Sequence, residues 1–185
     1  MGTLVKRIGP CAMRRSGDPY RALVRSVIYQ QLAGAAAGAI AGRLKARHRG
    51  RFPTPAALLA ESDADLRGVG LSRQKAATLR EIARAFDEGR LSNRALYRMS
   101  DAAVIEAVTE LRGVGEWTAH MLLISSLGRP DVLPVGDFGI RKGATRLFGL
   151  PALARPAELE ALAAPWRPYR SVASWYLWRR ADEPG

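Results

Sequence analysis

The chain contains a single cysteine, Cys11, and two histidines, His48 and His120, in 185 residues. One thiol excludes an intrachain disulfide, a zinc site built from several thiolates, and an iron–sulfur cluster held by four cysteines. Two histidines exclude a His-rich metal centre. β-Branched residues never alternate over a useful run, so strand signals are nearly absent. No apolar stretch approaches the ~20 residues that a membrane-spanning helix needs, and the first residues lack a signal-peptide core. These absences predict a soluble, cytoplasmic protein. Lysine is scarce too: Lys6, Lys45, Lys75 and Lys142 are the only ones among 29 cationic side chains.

What is abundant is positive charge and helical punctuation. The formal charge of +12 points towards a polyanionic partner, and the 48% hydrophobic content allows one substantial core or two smaller lobes. Asp18-Pro19 reads as a cap and first position for a helix to about Leu32, with Leu23, Val27 and Ile28 on one face. An alanine-rich helix follows from Gly34 to Arg47, and Thr54 caps a short one. Ser72 opens a helix to about Asp87, Asp101 one to about Glu110, Glu116 one to about Leu127, and Asp137 one towards Phe148. Pro156 and Pro168 mark the starts of the last two. The expected class is all-α.

Leu111-Arg112-Gly113-Val114-Gly115-Glu116-Trp117-Thr118-Ala119 is the most informative stretch. Its two glycines around one aliphatic residue predict a turn too tight for side chains at either position. Unpaired turn amides, Thr118 and the positive end of the next helix suit a phosphate. Leu66-Arg67-Gly68-Val69-Gly70-Leu71 echoes it 45 positions earlier (111 − 66), also between a short helix and a longer one. Then Leu133-Pro134-Val135-Gly136-Asp137-Phe138 brings a lone carboxylate 24 positions after the first glycine of the turn (137 − 113). Asp137 caps a helix, serves as a catalytic acid, or does both.

Four blocks in order resemble the helix-hairpin-helix DNA glycosylases, in their alkyladenine (3-methyladenine II) branch. They are Val27-Ile28-Tyr29-Gln30-Gln31-Leu32, the turn at 111–119, Leu133 to Phe138, and Trp166-Arg167-Pro168-Tyr169-Arg170-Ser171 leading to Trp175 and Trp178. The resemblance spans about Asp18 to Arg180 and implies a two-lobed helical fold with a cleft between the lobes. One lobe is expected at 34–130, with the hairpin at 109–119, and the other at 1–33 plus 131–185. The best-known bacterial relatives carry an extra amino-terminal β-rich domain, and the compact form without it is expected here.

The resemblance also implies roles. Asp137 would stabilise positive charge on deoxyribose as an N-glycosidic bond breaks. Trp117, Met121, Phe138 and Trp178 would line the base pocket, with Phe138 and Met121 where the best-known bacterial member has tyrosines. Gly113, Gly115 and Thr118 would grip phosphate, and Gln31 or Leu32 would plug the duplex after base extrusion. Arg112, Arg141, Lys142 and Arg146 could add to the phosphate grip. Backbone carbonyls of Thr109, Leu111 and Val114 would hold a Na+ or K+ ion, with no other cofactor required. Members that nick the backbone carry a lysine nucleophile where this chain has Trp117, so base removal should stop at an abasic site. The expected partner of this monomer is double-stranded DNA bearing alkylated bases. A non-catalytic DNA-binding module and a glycosylase with lyase activity are the alternatives.

Overall fold

The computed structural model describes residues 1–183, and these are helical with no strand among them. The helices are α1 (Gly2–Ile8), α2 (Pro19–Tyr29), α3 (Gly34–Arg47), α4 (Pro55–Leu59), α5 (Asp63–Gly68) and α6 (Arg73–Asp87). They continue with α7 (Asn93–Arg98), α8 (Asp101–Thr109), α9 (Glu116–Leu122), α10 (Phe138–Phe148), α11 (Pro156–Ala163) and α12 (Arg170–Asp182). A π-helical turn at Leu123–Leu127 follows α9, and a 3-10 turn at Ala164–Trp166 follows α11. None of these helices is long and apolar enough to cross a membrane.

The chain forms two compact units, one from Ser16 to Leu122 and the other from Met1–Arg15 together with the chain from Leu123 onward. These boundaries differ from the expected 33/34 and 130/131. Residues 16–33 belong to the middle unit because α2 packs on α3, α6, α7 and α9. Its first turn is clipped by Asn93, whose Oδ1 accepts the Tyr20 N–H at 3.0 Å and whose Nδ2 donates to Asp18 at 3.2 Å. Residues 129–132 belong to the terminal unit because Ser171 holds them. Its hydroxyl donates to the Arg129 carbonyl at 2.7 Å and accepts the Val132 N–H at 2.9 Å.

In the middle unit, side-chain caps set most helix starts: Asp18, Thr54, Ser62, Ser72, Ser92 and Ser100 each accept an amide of the following turn. Each such cap is worth about 1 kcal/mol. Leu79, Ile82 and Ala83 of α6 are fully buried, and α6 packs against α2, α4 and α5. Helix α2 ends at Tyr29, short of the expected Leu32. Lys75 reaches from α6 and donates to the Ile28 and Gln30 carbonyls, both at 2.8 Å, which satisfies the helix end from outside.

In the terminal unit, α10 and α12 cross in close contact at Gly143. A Cβ there would stand 2.0 Å from the Leu177 carbonyl oxygen, so no larger residue fits. Ile140, Ala144, Leu159 and Leu177 form the core beneath this crossing. The last helix begins at Arg170 rather than Pro168, because Asp131 fixes its start. Arg170 Nε and Nη2 donate to the two Asp131 carboxylate oxygens at 2.6 and 2.8 Å. Hydrogen bonding from Arg170 holds the Asp131 carboxyl below its ordinary pKa.

Candidate active-site acid and nucleic-acid interface

The two glycine turns that look alike in sequence are built differently. In the first, Gly70 is the left-handed residue (φ +98°), and Gly70 and Leu71 donate back to Arg67 and Leu66. Arg43 seals the turn through its Nε bond to the Val69 carbonyl at 2.8 Å. In the second, Gly113 is the left-handed residue (φ +87°). A Cβ on Gly113 would lie 2.0 Å from Thr78 Oγ1, so α6 presses directly against this turn. The amides of Gly113 and Gly115 donate to no acceptor among the described residues. The first turn is a closed helix terminus, whereas the second presents donors.

Gly115 corrects an expectation. Its φ is not positive and nothing lies within 4 Å of a Cβ built there, so only its amide, not its lack of a side chain, is used by the turn. Thr118 corrects another. It is 1% exposed and its hydroxyl accepts a hydrogen bond from Gln30 Nε2 at 3.0 Å, so it organises the turn from beneath instead of facing solvent. Gln30 also donates to the Gly113 carbonyl at 3.2 Å. Thus Lys75 fixes the end of α2, and Gln30 ties that end to the glycine turn.

The loop after α2 is shaped by this tie. Gln31 is forced into the left-handed region (φ +54°) and stands exposed, while Leu32 beside it is 39% exposed. Gln31, Gly113, Gly115, Trp117 and Thr118 line one concavity of about 390 Å3, joined by Gln30 and Gln74. Trp117 and Met121 are half-buried on α9. Burial lowers the pKa of His120 on the same helix, against a smaller opposing pull from Glu116.

The Thr109 hydroxyl bonds back to the Ile105 carbonyl at 2.7 Å, so that residue can offer the turn only its backbone oxygen. The Leu111 carbonyl accepts the Val114 N–H at 3.0 Å and keeps a second lone pair. No cluster of three or more His, Cys, Asp or Glu residues suited to a metal ion occurs among the described residues.

Asp137 is presented by a different piece of engineering in the terminal unit. Leu133 anchors the preceding segment in the core, and the Asp137 N–H closes a turn onto the Pro134 carbonyl at 2.9 Å. Asp137 is 9% exposed and caps α10: its Oδ1 accepts the Ile140 N–H at 2.8 Å. The same oxygen accepts the indole N–H of Trp178 at 2.9 Å. Gly139 permits this approach, since a Cβ there would lie 2.9 Å from Trp178 Cδ1 and 3.2 Å from Asp137 Oδ1. A single carboxylate oxygen held by two donors from two helices is oriented as well as capped. Phe138, next in sequence, is 66% exposed.

Two of the expected accessory cations serve the fold instead. Arg141 Nε donates to the Ala154 carbonyl at 2.6 Å, and Arg146 donates to the carbonyls of Ala181 and Glu183. Lys142 is half-buried, and only Arg112 stands exposed on the turn. The roles of Gln30, Gln74, Lys75 and Thr78 in holding the turn are not legible in the sequence. The scarcity of lysine was the one available signal for Lys75.

Residues 24–168 match the family described as HhH-GPD superfamily base excision DNA repair protein. The chain is 37% identical to DNA-3-methyladenine glycosylase 1 of Schizosaccharomyces pombe over 181 residues, covering 95% of this chain and 79% of that protein. It is 30% identical over 182 residues to the alkylbase DNA glycosidase-like protein mag2 of the same organism, covering 96% and 85% of the two. Among solved structures, the S. pombe 3-methyladenine DNA glycosylase Mag1 in complex with abasic DNA is similar at 37% identity, with a TM-score of 0.92 over 96% of this chain and 89% of that one. The family match runs over most of the sequence and includes the glycine turn and the Asp137 segment, so the chain belongs to the HhH-GPD superfamily of base excision DNA repair proteins.

Proposed function

We propose that this chain is a monofunctional DNA glycosylase that removes alkylated bases, such as 3-methyladenine and 7-methylguanine, from double-stranded DNA and leaves an abasic site. The observation that carries the reading is the Asp137 carboxylate, nearly buried and with one oxygen fixed by Ile140 and Trp178. As the N-glycosidic bond breaks, positive charge develops on the deoxyribose, and a carboxylate already in place stabilises it without reorganisation. Water then forms the new bond to the sugar carbon, Asp137 orients that water or takes its proton, and the base leaves with the bonding pair. The names of the S. pombe relatives support the substrate class.

The remaining residues take supporting roles. Gly113 and Gly115 amides bind a backbone phosphate, and Gln31, pushed outward by its left-handed backbone, plugs the duplex. Trp117, Met121, Phe138 and Trp178 supply apolar and aromatic surface for an electron-poor base. Trp117 has no amine to form a Schiff base, so the strand is not cut. The carbonyls of Thr109, Leu111 and Val114 would hold an alkali ion that stiffens the turn, and the protein acts as a monomer.

Incubation with methylated genomic DNA, followed by mass spectrometry of the released bases, tests the reading. Methylated purines should be released, with intact strands and no adduct trapped by borohydride. Release of no base would overturn it, and a trapped adduct would overturn the monofunctional assignment.

A further inference from the structure

Helix α6 carries Arg73, Ala77, Arg80 and Arg84 at intervals of four, three and four residues. At 100° per residue, positions 73, 80 and 84 fall within about 20° of one line, and at 1.5 Å per residue the row extends about 16 Å. Two concavities of about 550 and 490 Å3 lie along this row and share Arg73, Ala77 and Arg80 as lining. Arg67 of α5 borders one, and Arg112 and Gly113 of the glycine turn border the other. The two concavities flank the arginine row, and the glycine turn meets the larger of them at Thr78, midway along the row.

Its charge is not neutralised. Arg80 pairs with Asp63 at 2.9 Å, and Glu81 is divided between Arg84 at 3.3 Å and Arg90 at 3.1 Å. Arg80 is also pinned to the carbonyls of Leu59 and Glu61 at 3.3 and 2.6 Å, which fixes its guanidinium in the groove wall. Arg67, Arg73 and Arg112 have no carboxylate within 4.0 Å among the described residues. Five guanidiniums thus face two carboxylates over a small-residue floor at Ala77. A strand of DNA presents a regular row of single negative charges, which a row of guanidiniums complements.

We propose that this arginine row is a second phosphate track, which holds duplex backbone beside the glycine turn and extends the footprint beyond the excised base. The inference rests on the reading that the turn itself grips DNA. Its effect is electrostatic: it adds affinity and orientation for flanking duplex, whatever base is excised.

The test is the salt dependence of binding to an undamaged duplex of about thirty base pairs, compared between the wild type and the R67A/R73A/R112A variant. Each lost phosphate contact lowers the slope of log K against log salt by about 0.9, so the triple variant should lose up to about 2.7. The R67K/R73K/R112K variant should recover most of the slope, which separates charge from shape. A slope equal to that of the wild type overturns the proposal and would favour an acidic protein segment as the occupant. Duplex protection of Arg67, Arg73 and Arg112 from dicarbonyl modification, read on the wild-type protein, gives the same answer without any variant: protection is expected, and equal modification with and without DNA overturns it. Base release from methylated DNA by the wild type is measured separately, so failure of the track leaves the glycosylase reading standing.

Discussion

Alanine at position 113 meets two separate obstacles. The φ of +87° lies in the left-handed region, which costs an ordinary L-residue about 1–2 kcal/mol. The new methyl would also stand 2.0 Å from Thr78 Oγ1. Thr78 cannot simply turn away, because it is 4% exposed and its hydroxyl donates to the Gln74 carbonyl at 3.1 Å. Overpacking of this kind costs about 1–3 kcal/mol. The two contributions together give roughly 2–5 kcal/mol, a fall in melting temperature of roughly 4–20 °C for a chain of this size. Thermal unfolding of Gly113→Ala, Thr78→Ala and the double variant measures the two parts. Thr78→Ala should relieve the packing part and leave the backbone part, with a favourable coupling of about 1–2 kcal/mol. Gly115→Ala is the control and should change stability by less than about 0.5 kcal/mol. Equal losses for the two glycines, or a coupling near zero, would refute this account of the turn.

Other outcomes follow from the same geometry. Gly143→Ala drives a methyl to 2.0 Å from the Leu177 carbonyl and should destabilise the terminal unit by about 3 kcal/mol or more, read by urea unfolding. Trp178→Phe keeps an aromatic ring and the Ile140 cap on Asp137 but removes the indole donor. Base release should fall at least tenfold, with a melting temperature within a few degrees of the wild type. Burial holds the folded-state pKa of His120 below its ordinary 6.5, so the unfolded chain takes up the proton first. Stability is therefore full above that value and declines as the pH falls below it; His120→Gln should flatten urea midpoints between about pH 7 and 5. Asp131 acts at lower pH: hydrogen bonding from Arg170 lowers its pKa below 3.8, so its contribution is present above that value and is lost as acid protonates the folded state.

Much of this architecture was legible in the sequence, for identifiable reasons. Caps and prolines located α2, α4, α6, α10 and α11, because local hydrogen bonds decide those boundaries, and alanine content located α3. The end of α2 was misplaced because Lys75, 45 residues away from Gln30, supplies the terminal partner. No local pattern carries that information. The echo between Gly68-Val69-Gly70 and Gly113-Val114-Gly115 hid a difference in which glycine turns left-handed, and this depends on what packs against each: Arg43 in one case, Thr78 in the other. Thr118 is legible as a member of the phosphate grip from its place at the start of α9, whereas its burial beneath Gln30 is not. Asp137 was legible as a helix cap, whereas its second donor comes from Trp178, far along the chain, and appears only in three dimensions.

The most direct test of the central claim is Asp137→Asn. Asparagine caps a helix as well as aspartate does, and its carbonyl oxygen can still accept from Ile140 and Trp178, so the fold and the binding of duplex DNA should persist. What disappears is the negative charge. Release of methylated bases under single-turnover conditions should fall by about 10²–10³-fold or more, the scale of losing a fixed electrostatic stabiliser. A variant that binds DNA and releases bases at the wild-type rate would contradict the assignment of Asp137 as the acid on which the reaction depends.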